Sequence, residues 1–508
     1  MDRIEALAAR LPAYPVLLAV AYVMNLALVN DVEPAGFVRP LVVAIAGSLV
    51  LLAVTSAIAR SWRAGAALAL VALCLLASRE PLVQVISLLN RTVGPGVGIL
   101  VLAGLTFVVL VALAVLVLRI RGWTGRALAR LTAVLNVMAL LFLVLVLAAG
   151  VPQIPTWLAT PGETAENPDP ELPDIFLILL DGYPRSDVLL DDFGIDNSAF
   201  LRELRSRSFA VSASSHSNYT FTALTMTSIL QLDYLSVGLD GREVVAQHQV
   251  RAEFDAAALH GRVPEALRAA GYEFVASAPG WEHVSLRSAV ERYLDRPELS
   301  DLELNLLKRT WIPDLPGVSE DWFISEQRSR VNGIFEQATS LSTEHRARPI
   351  FAFVHIPSPH MPIVFGREGR PVPWGSRQFG AGVPAEYGLS DAEFSGAYEQ
   401  QLDYLNDRTL DLVDAILGGA RPAAVVIFSD HGSSPRPYPD PRSLLPNLMA
   451  AYVPDGELQE SDLADVLHGI SAVLTRYVDL HLGAGAPRHW IASEEDRSIV
   501  IEESSPSR

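Results

Sequence analysis

Residues 423–433 read AAVVIFSDHGS, an apolar run that stops abruptly at Ser429, Asp430, His431 and Gly432. A continuous Val/Ile/Phe run of this length reads as a strand buried on both faces of a parallel sheet. Open α/β sheets place their chemistry just beyond the carboxyl ends of such strands. Residues 174–182, DIFLILLDG, repeat the pattern and end in Asp181 and Gly182. Two strands far apart in sequence, each ending in a carboxylate, imply one metal site assembled by the fold.

Working outward, YEFVASA (272–278) and PIFAFVH (349–355) are further strand candidates. Helical spacing of apolar residues marks 198–207, 263–270, 321–339 and 391–417. Strands alternating with helices predict a mostly parallel α/β sheet flanked by helices. The Gly/Pro-rich stretch 365–388 reads as a long loop near the site.

The apolar content, 50% hydrophobic residues in 508, is too high for an ordinary soluble enzyme and is concentrated in residues 1–150. Five stretches there fit membrane spans of ~20 residues: 11–30, 40–59, 65–78, 96–118 and 131–150. The third is short, and a re-entrant or interfacial segment is its alternative. No cleavable signal peptide is evident at the first stretch. With the N-terminus inside, the inner segments hold 8 arginines and the outer loops only Arg39, Arg79 and Arg91. The positive-inside rule then favours five spans with the C-terminal domain outside. The expected organisation is a transmembrane domain (1–150), a proline-rich acidic linker (151–173), an extracytoplasmic catalytic domain (174–495) and a polar tail (496–508).

Residues 1–150 carry 11 arginines against 5 acidic residues, a net +6 in a chain of net −18, so the remainder holds −24. Such an acidic domain lacks the basic footprint of a nucleic-acid binder. The single cysteine, Cys74, falls in a predicted span. The outer domain therefore has neither disulfides nor a cysteine nucleophile.

Four pieces carry the chemistry. Asp181 is a hard-oxygen ligand at a strand end. In HSNYTFTALTMTSIL (216–230), hydroxyls lie near a strand-to-helix junction, where backbone N–H groups favour an anion. A hydroxyl there beside a divalent cation becomes a nucleophile. Residue pattern alone leaves Ser217, Thr220, Thr222 and Thr225 open. HIPSPHMP (355–362) is a stiff loop able to fix His360. Asp430 and His431 offer oxygen and nitrogen to one cation, a mix suited to zinc or manganese rather than magnesium or calcium.

This order of motifs resembles the alkaline phosphatase and sulfatase superfamily over roughly residues 173–455. The order is Asp-Gly after the first strand, a threonine after a second segment, the loop HIPSPHMP, then Ser-Asp-His-Gly. Membrane spans ahead of an outer domain resemble lipoteichoic acid synthases and phosphoethanolamine transferases, and the wording NYTFTALTMTSIL resembles bacterial membrane sulfatase-like proteins. Alignment on Asn218 and Tyr219 puts the family threonine at Thr222. The resemblance then implies one divalent metal held by Asp181, Thr222, Asp430 and His431, with His360 and His283 contacting the substrate phosphate. It implies transfer of a phospho-headgroup from a membrane lipid to a cell-envelope glycan or lipid through a covalent phospho-threonine. A phosphodiesterase or phosphatase, and a non-catalytic envelope-binding member, are the alternatives. The chain departs from the pattern in three ways. Thr220 and Phe221 replace proline and glutamine, Asp181 stands where the transferases have glutamate, and the candidate region 216–230 has no C/S-x-P-x-R motif for formylglycine.

Overall fold

The computed structural model describes residues 11–30, 32, 34–79, 82, 125–151, 160–166, 169–236, 241–294, 299–312, 321–372, 383–436, 439–483, 485–495 and 498–504. The expected fourth span, 96–118, lies outside them. The chain divides into two units, one of residues 1–157 and 299–319, the other of 158–298 and 320–508.

The first unit is helical: Tyr14–Val29, Pro34–Ala59, Trp62–Leu76 and Gly125–Gly150. Two of its helices, Gly36–Ala59 and Gly125–Gly150, are long and apolar enough to cross a membrane. Their outer faces expose Val43, Val50 and Ile58 on one, and Met138, Leu141 and Leu145 on the other. Small residues bring helices together, as in membrane bundles. A Cβ at Gly65 would lie 2.3 Å from the Ser56 Cα, so only glycine admits that contact. Asn136 accepts from the Tyr14 N–H (2.8 Å) and donates to the Leu11 carbonyl (2.7 Å), tying the first helix to the last.

Residues 299–319 were expected in the C-terminal domain but belong to this helical unit. Their helix, Asp301–Lys308, opens with a capping box between Ser300 and Glu303. It buries Leu302 among Met24, Leu26, Ala27, Val32, Phe37 and Val146. Glu303 forms a two-pronged ion pair with Arg39. The Trp311 indole N–H reaches the Leu75 carbonyl (3.0 Å) and the Ser78 hydroxyl (3.2 Å). Arg79 donates to the Lys308 carbonyl at 3.0 Å. Two of the three arginines that break the charge bias of the bundle are thus bound to this insert.

The second unit holds a seven-stranded sheet in the order β2-β8-β7-β1-β6-β4-β5. Its strands are β1 (Asp174–Leu180), β2 (Ala210–Val211), β4 (Glu273–Ser277), β5 (Arg292–Leu294), β6 (Ile350–Ile356), β7 (Ala423–Phe428) and β8 (Met449–Tyr452). β7, β1, β6, β4 and β5 run parallel, and β8 runs against β7 and β2. The sheet is therefore mixed, with helices on both faces. Ile175, Leu177 and Leu179 of β1 face one core, and Phe176, Ile178 and Leu180 the other. That two-sided burial is why the strand is apolar without alternation. Leu179 lies opposite both His355 and Phe428, which sets the carboxyl ends of β1, β6 and β7 side by side.

A second sheet joins β3 (Glu243–Ala246), β10 (Ser498–Ser504) and β9 (His489–Glu495), all antiparallel. Most of the expected polar tail is therefore a paired strand. Ile499, Val500 and Ile501 are buried, and the exposed Glu502 and Glu503 that follow are what make the stretch read as polar.

The insert yields the first prediction. Arg39→Glu removes the partner of Glu303, and tryptic cleavage after Lys308 or Arg309 should accelerate in detergent-purified full-length protein. Combining Arg39→Glu with Glu303→Arg should restore resistance; equal cleavage of all three proteins would count against the ion pair as the fastening.

Candidate functional site

Asp181 is fully buried just past β1, its backbone N–H bonded to the Ile356 carbonyl (3.1 Å) and its carbonyl accepting from the His360 N–H (2.8 Å). These two bonds join the ends of β1 and β6 and bring the His360 loop over Asp181. Gly182 adopts a left-handed backbone (φ 69°), and a Cβ there would sit 3.4 Å from the His360 Cα. A glycine is needed for the turn and for this approach.

Each polar side chain at this corner is held by one atom and open at another. His355, on β6, contacts Asp181 Oδ2 through Nε2 at 2.9 Å, while Asp181 Oδ1 has no partner among the described residues. Asp430 Oδ1 accepts from the Gly182 N–H (3.3 Å), while Oδ2 has none. His431 Nδ1 faces the Gly432 carbonyl (2.7 Å) and His360 Nδ1 the Met361 carbonyl (2.9 Å). A carbonyl only accepts, so Nδ1 carries the proton in each ring and Nε2 is left as a donor to a cation. His431 Nε2 lies 3.5 Å from Asp430 Oδ2 and 3.7 Å from Asp181 Oδ1. One donor atom from each of Asp181, His360 and His431 falls within 4.8 Å of the others.

Electrostatics agree with a cation site. Burial pushes Asp430 above the usual carboxylate range, and repulsion from Asp181 adds to it. Burial acts the same way on Asp181, but the His355 hydrogen bond and the nearby His360, His355 and His431 hold it low. Burial opposes a charge on His431, yet Asp430 and Asp181 raise its proton affinity overall. Two buried carboxylates with open oxygens and two imidazoles with open Nε2 atoms form a mixed O/N donor set that fits a divalent transition metal such as zinc.

The hydroxyls of 217–225 separate by their partners. Ser217 bonds the Tyr219 and Asp430 carbonyls. Thr225 reaches the same two carbonyls at 3.1 and 3.2 Å. Thr220 exchanges bonds with the backbone of Ala492 on β9. Thr222, the first residue of the Thr222–Gln231 helix, instead acts on Asp430, where its hydroxyl favours the charged carboxylate. The Tyr219 ring stacks on Trp490 at 5.0 Å, and Trp490 pairs with Asn218 and Thr220 through backbone bonds. The C-terminal hairpin thus fixes the register of the segment that carries Thr222.

His283 is exposed on a short 3-10 turn and lies outside the converging donor atoms. It stacks on Trp281, whose ring meets His360 edge-on at 5.1 Å and His355 at 5.8 Å. Trp281 and the His355–Asp181 bond were missed by sequence reasoning. The five-residue spacing of His355 and His360 was the available signal.

Metal binding at this corner should weaken as pH falls. Asp430 and His431 both hold their protons more tightly than usual, and both must release them to a cation. Zinc titration of the full-length protein from about pH 8 to about pH 5 should show a steady loss of affinity. A flat profile would exclude these two residues as ligands.

Residues 173–465 match the family model described as Sulfatase. No curated protein matches the chain. Among solved structures, the C-terminal periplasmic domain of EcEptC from Escherichia coli in complex with Zn is 11% identical, with a TM-score of 0.43, over 67% of this chain and 96% of that one. The integral membrane lipooligosaccharide phosphoethanolamine transferase A from Neisseria meningitidis is 14% identical, with a TM-score of 0.35, over 93% and 95%. A putative sulfatase from Bacteroides thetaiotaomicron is 11% identical, with a TM-score of 0.39, over 63% and 78%. The family match takes in more than half of the chain and spans Asp181, Thr222, His360, Asp430 and His431, and on that ground the chain belongs to the sulfatase family of enzymes.

Proposed function

We propose that the protein is a metal-dependent phosphotransferase of the cell membrane, with Thr222 as nucleophile. The observation that carries this reading is that Ser217, Thr220 and Thr225 are engaged with backbone carbonyls and amides, while Thr222 opens the Thr222–Gln231 helix and its hydroxyl favours the charged form of Asp430. Asp181, Asp430 and His431 would hold one divalent cation, zinc or manganese, with His360 beside them. When bound, the cation makes the Thr222 hydroxyl more acidic and offsets charge on the phosphoryl oxygens.

Thr222 Oγ1 attacks phosphorus in a lipid headgroup as its proton passes to solvent water. The phosphorus–oxygen bond to the lipid alcohol breaks, and the departing oxygen takes a proton from water. His360, and His283 through its place beside Trp281, orient the remaining phosphoryl oxygens. A hydroxyl of an envelope glycan or lipid then attacks the phospho-threonine, the phosphorus–Oγ1 bond breaks, and the acceptor's proton passes to Thr222 Oγ1 to restore the free hydroxyl.

The helical unit supports a membrane setting through its two long apolar helices. Our reading extends this to five spans, an inner N-terminus and a catalytic domain on the outer side, based on the arginine asymmetry. The absence of a C/S-x-P-x-R motif from the candidate region 216–230, with the only cysteine at Cys74, argues against formylglycine-dependent sulfate ester cleavage. If water replaces the acceptor hydroxyl, the same residues make a phosphodiesterase.

Thr222→Ala should lower turnover by at least about 10^3-fold with folding retained, as expected for loss of a nucleophile. Mass spectrometry of the peptide bearing Thr222, after incubation of the native protein with membrane lipids, should show an added phospho-headgroup. Full turnover by Thr222→Ala, or no adduct under turnover, would remove the covalent step.

A further inference from the structure

One atom of each converging side chain is held by the scaffold, and for Asp181 the holder is a side chain rather than backbone. His355 is buried at 2% exposure, and its Nε2 lies 2.9 Å from Asp181 Oδ2. Its Nδ1 has no partner among the described residues, so the proton belongs on Nε2 and is donated to Oδ2. The imidazole cannot turn away. It sits on β6 opposite Leu179 of β1, its backbone N–H accepted by the Ser277 hydroxyl at 2.8 Å. The Trp281 ring packs edge-on against it at 5.8 Å.

A carboxylate free at both oxygens can bind a cation through two atoms, the habit of large hard cations with six to eight oxygen ligands. A carboxylate with one oxygen already hydrogen-bonded offers a single atom, which suits a cation that takes few ligands. Gly182 performs the same service for Asp430, since its N–H occupies Oδ1 and leaves Oδ2 open. That bond comes from backbone and cannot be removed by substitution. The His355 bond can.

We propose that His355 is a positioning residue that keeps Asp181 a one-oxygen ligand and so biases the site toward zinc over calcium. The proposal rests on the reading of Asp181, Asp430 and His431 as metal ligands. His355 does not touch the cation; it decides which Asp181 oxygen the cation meets.

The test is a pair of chelator-competition titrations, with zinc and with calcium, on full-length protein in detergent. Four proteins are compared: wild type, His355→Leu, His355→Gln and Asp181→Ala. His355→Leu should weaken zinc binding about 10- to 100-fold, the range for partners that orient a metal ligand. Calcium binding should hold or strengthen, so the zinc-to-calcium preference falls. His355→Gln places an amide N–H where Nε2–H stood and should recover most of that preference. Cobalt substituted for zinc should show an altered absorption band in His355→Leu and a near-native band in His355→Gln. If His355→Leu does not fold, His355→Asn takes its place, since its amide is too short to reach Oδ2. An unchanged zinc-to-calcium ratio in a folded Leu or Asn variant overturns the proposal. Equal loss of both metals in the Gln and Leu variants overturns it as well. Asp181→Ala separates the two readings: if it binds zinc like the wild type, the ligand assignment itself fails.

Discussion

Two buried carboxylates at neighbouring strand ends are the constraint on which the rest of the second unit depends. Asp181 and Asp430 are both fully buried, and each keeps one oxygen without a partner. Removing ionised groups from water costs several kcal/mol each unless opposite charge or hydrogen bonds offset it. The scaffold offsets part of that cost with the His355 imidazole, the Gly182 amide and the nearby His431. The oxygens left over mark where a positive ion would complete the balance. The left-handed turn at Gly182, the β1–β6–β7 register and the His360 loop can be understood as what it takes to hold these atoms at one point.

The parallel core was legible because two-sided burial writes itself as an unbroken apolar run. β1, β6 and β7 come through in the sequence for that reason, and the Asp391–Leu417 helix for its regular spacing and its Ser390 cap. Short or partly polar strands were not legible. β8 has four residues between loops, and the three buried residues of β10 run straight into Glu502, Glu503 and Ser504, so its composition is that of a polar tail. The hairpin of β9 and β10 is nonetheless central, because Trp490 and Ala492 decide the register of the Thr222 segment.

The same division runs through the site. Asp181, Asp430 and His431 lie just beyond strands, where position and chemistry coincide. The hydroxyls near Thr222 are chemically alike and close in sequence. What separates them is which partner each meets from elsewhere in the chain, about which local pattern is silent. The contact of His355 with Asp181 is hidden for the opposite reason: His355 sits on a strand, and the contact exists only through the pairing of β6 with β1.

The detour of residues 299–319 has a practical and evolutionary meaning. A chain begun at residue 158 would keep a continuous run from the first strand to the last and would look like a complete enzyme. It would nonetheless carry Leu302 and the Trp311 indole without the helices that cover them, and Glu303 without Arg39. The excised piece would be prone to associate through that face, and its behaviour in solution would misreport the intact protein. The second unit is thus not a self-contained piece of sequence, because residues 299–319 within it belong to the first. Any new partner bundle would have to supply a matching seat for the insert, so the two parts of this chain must change together.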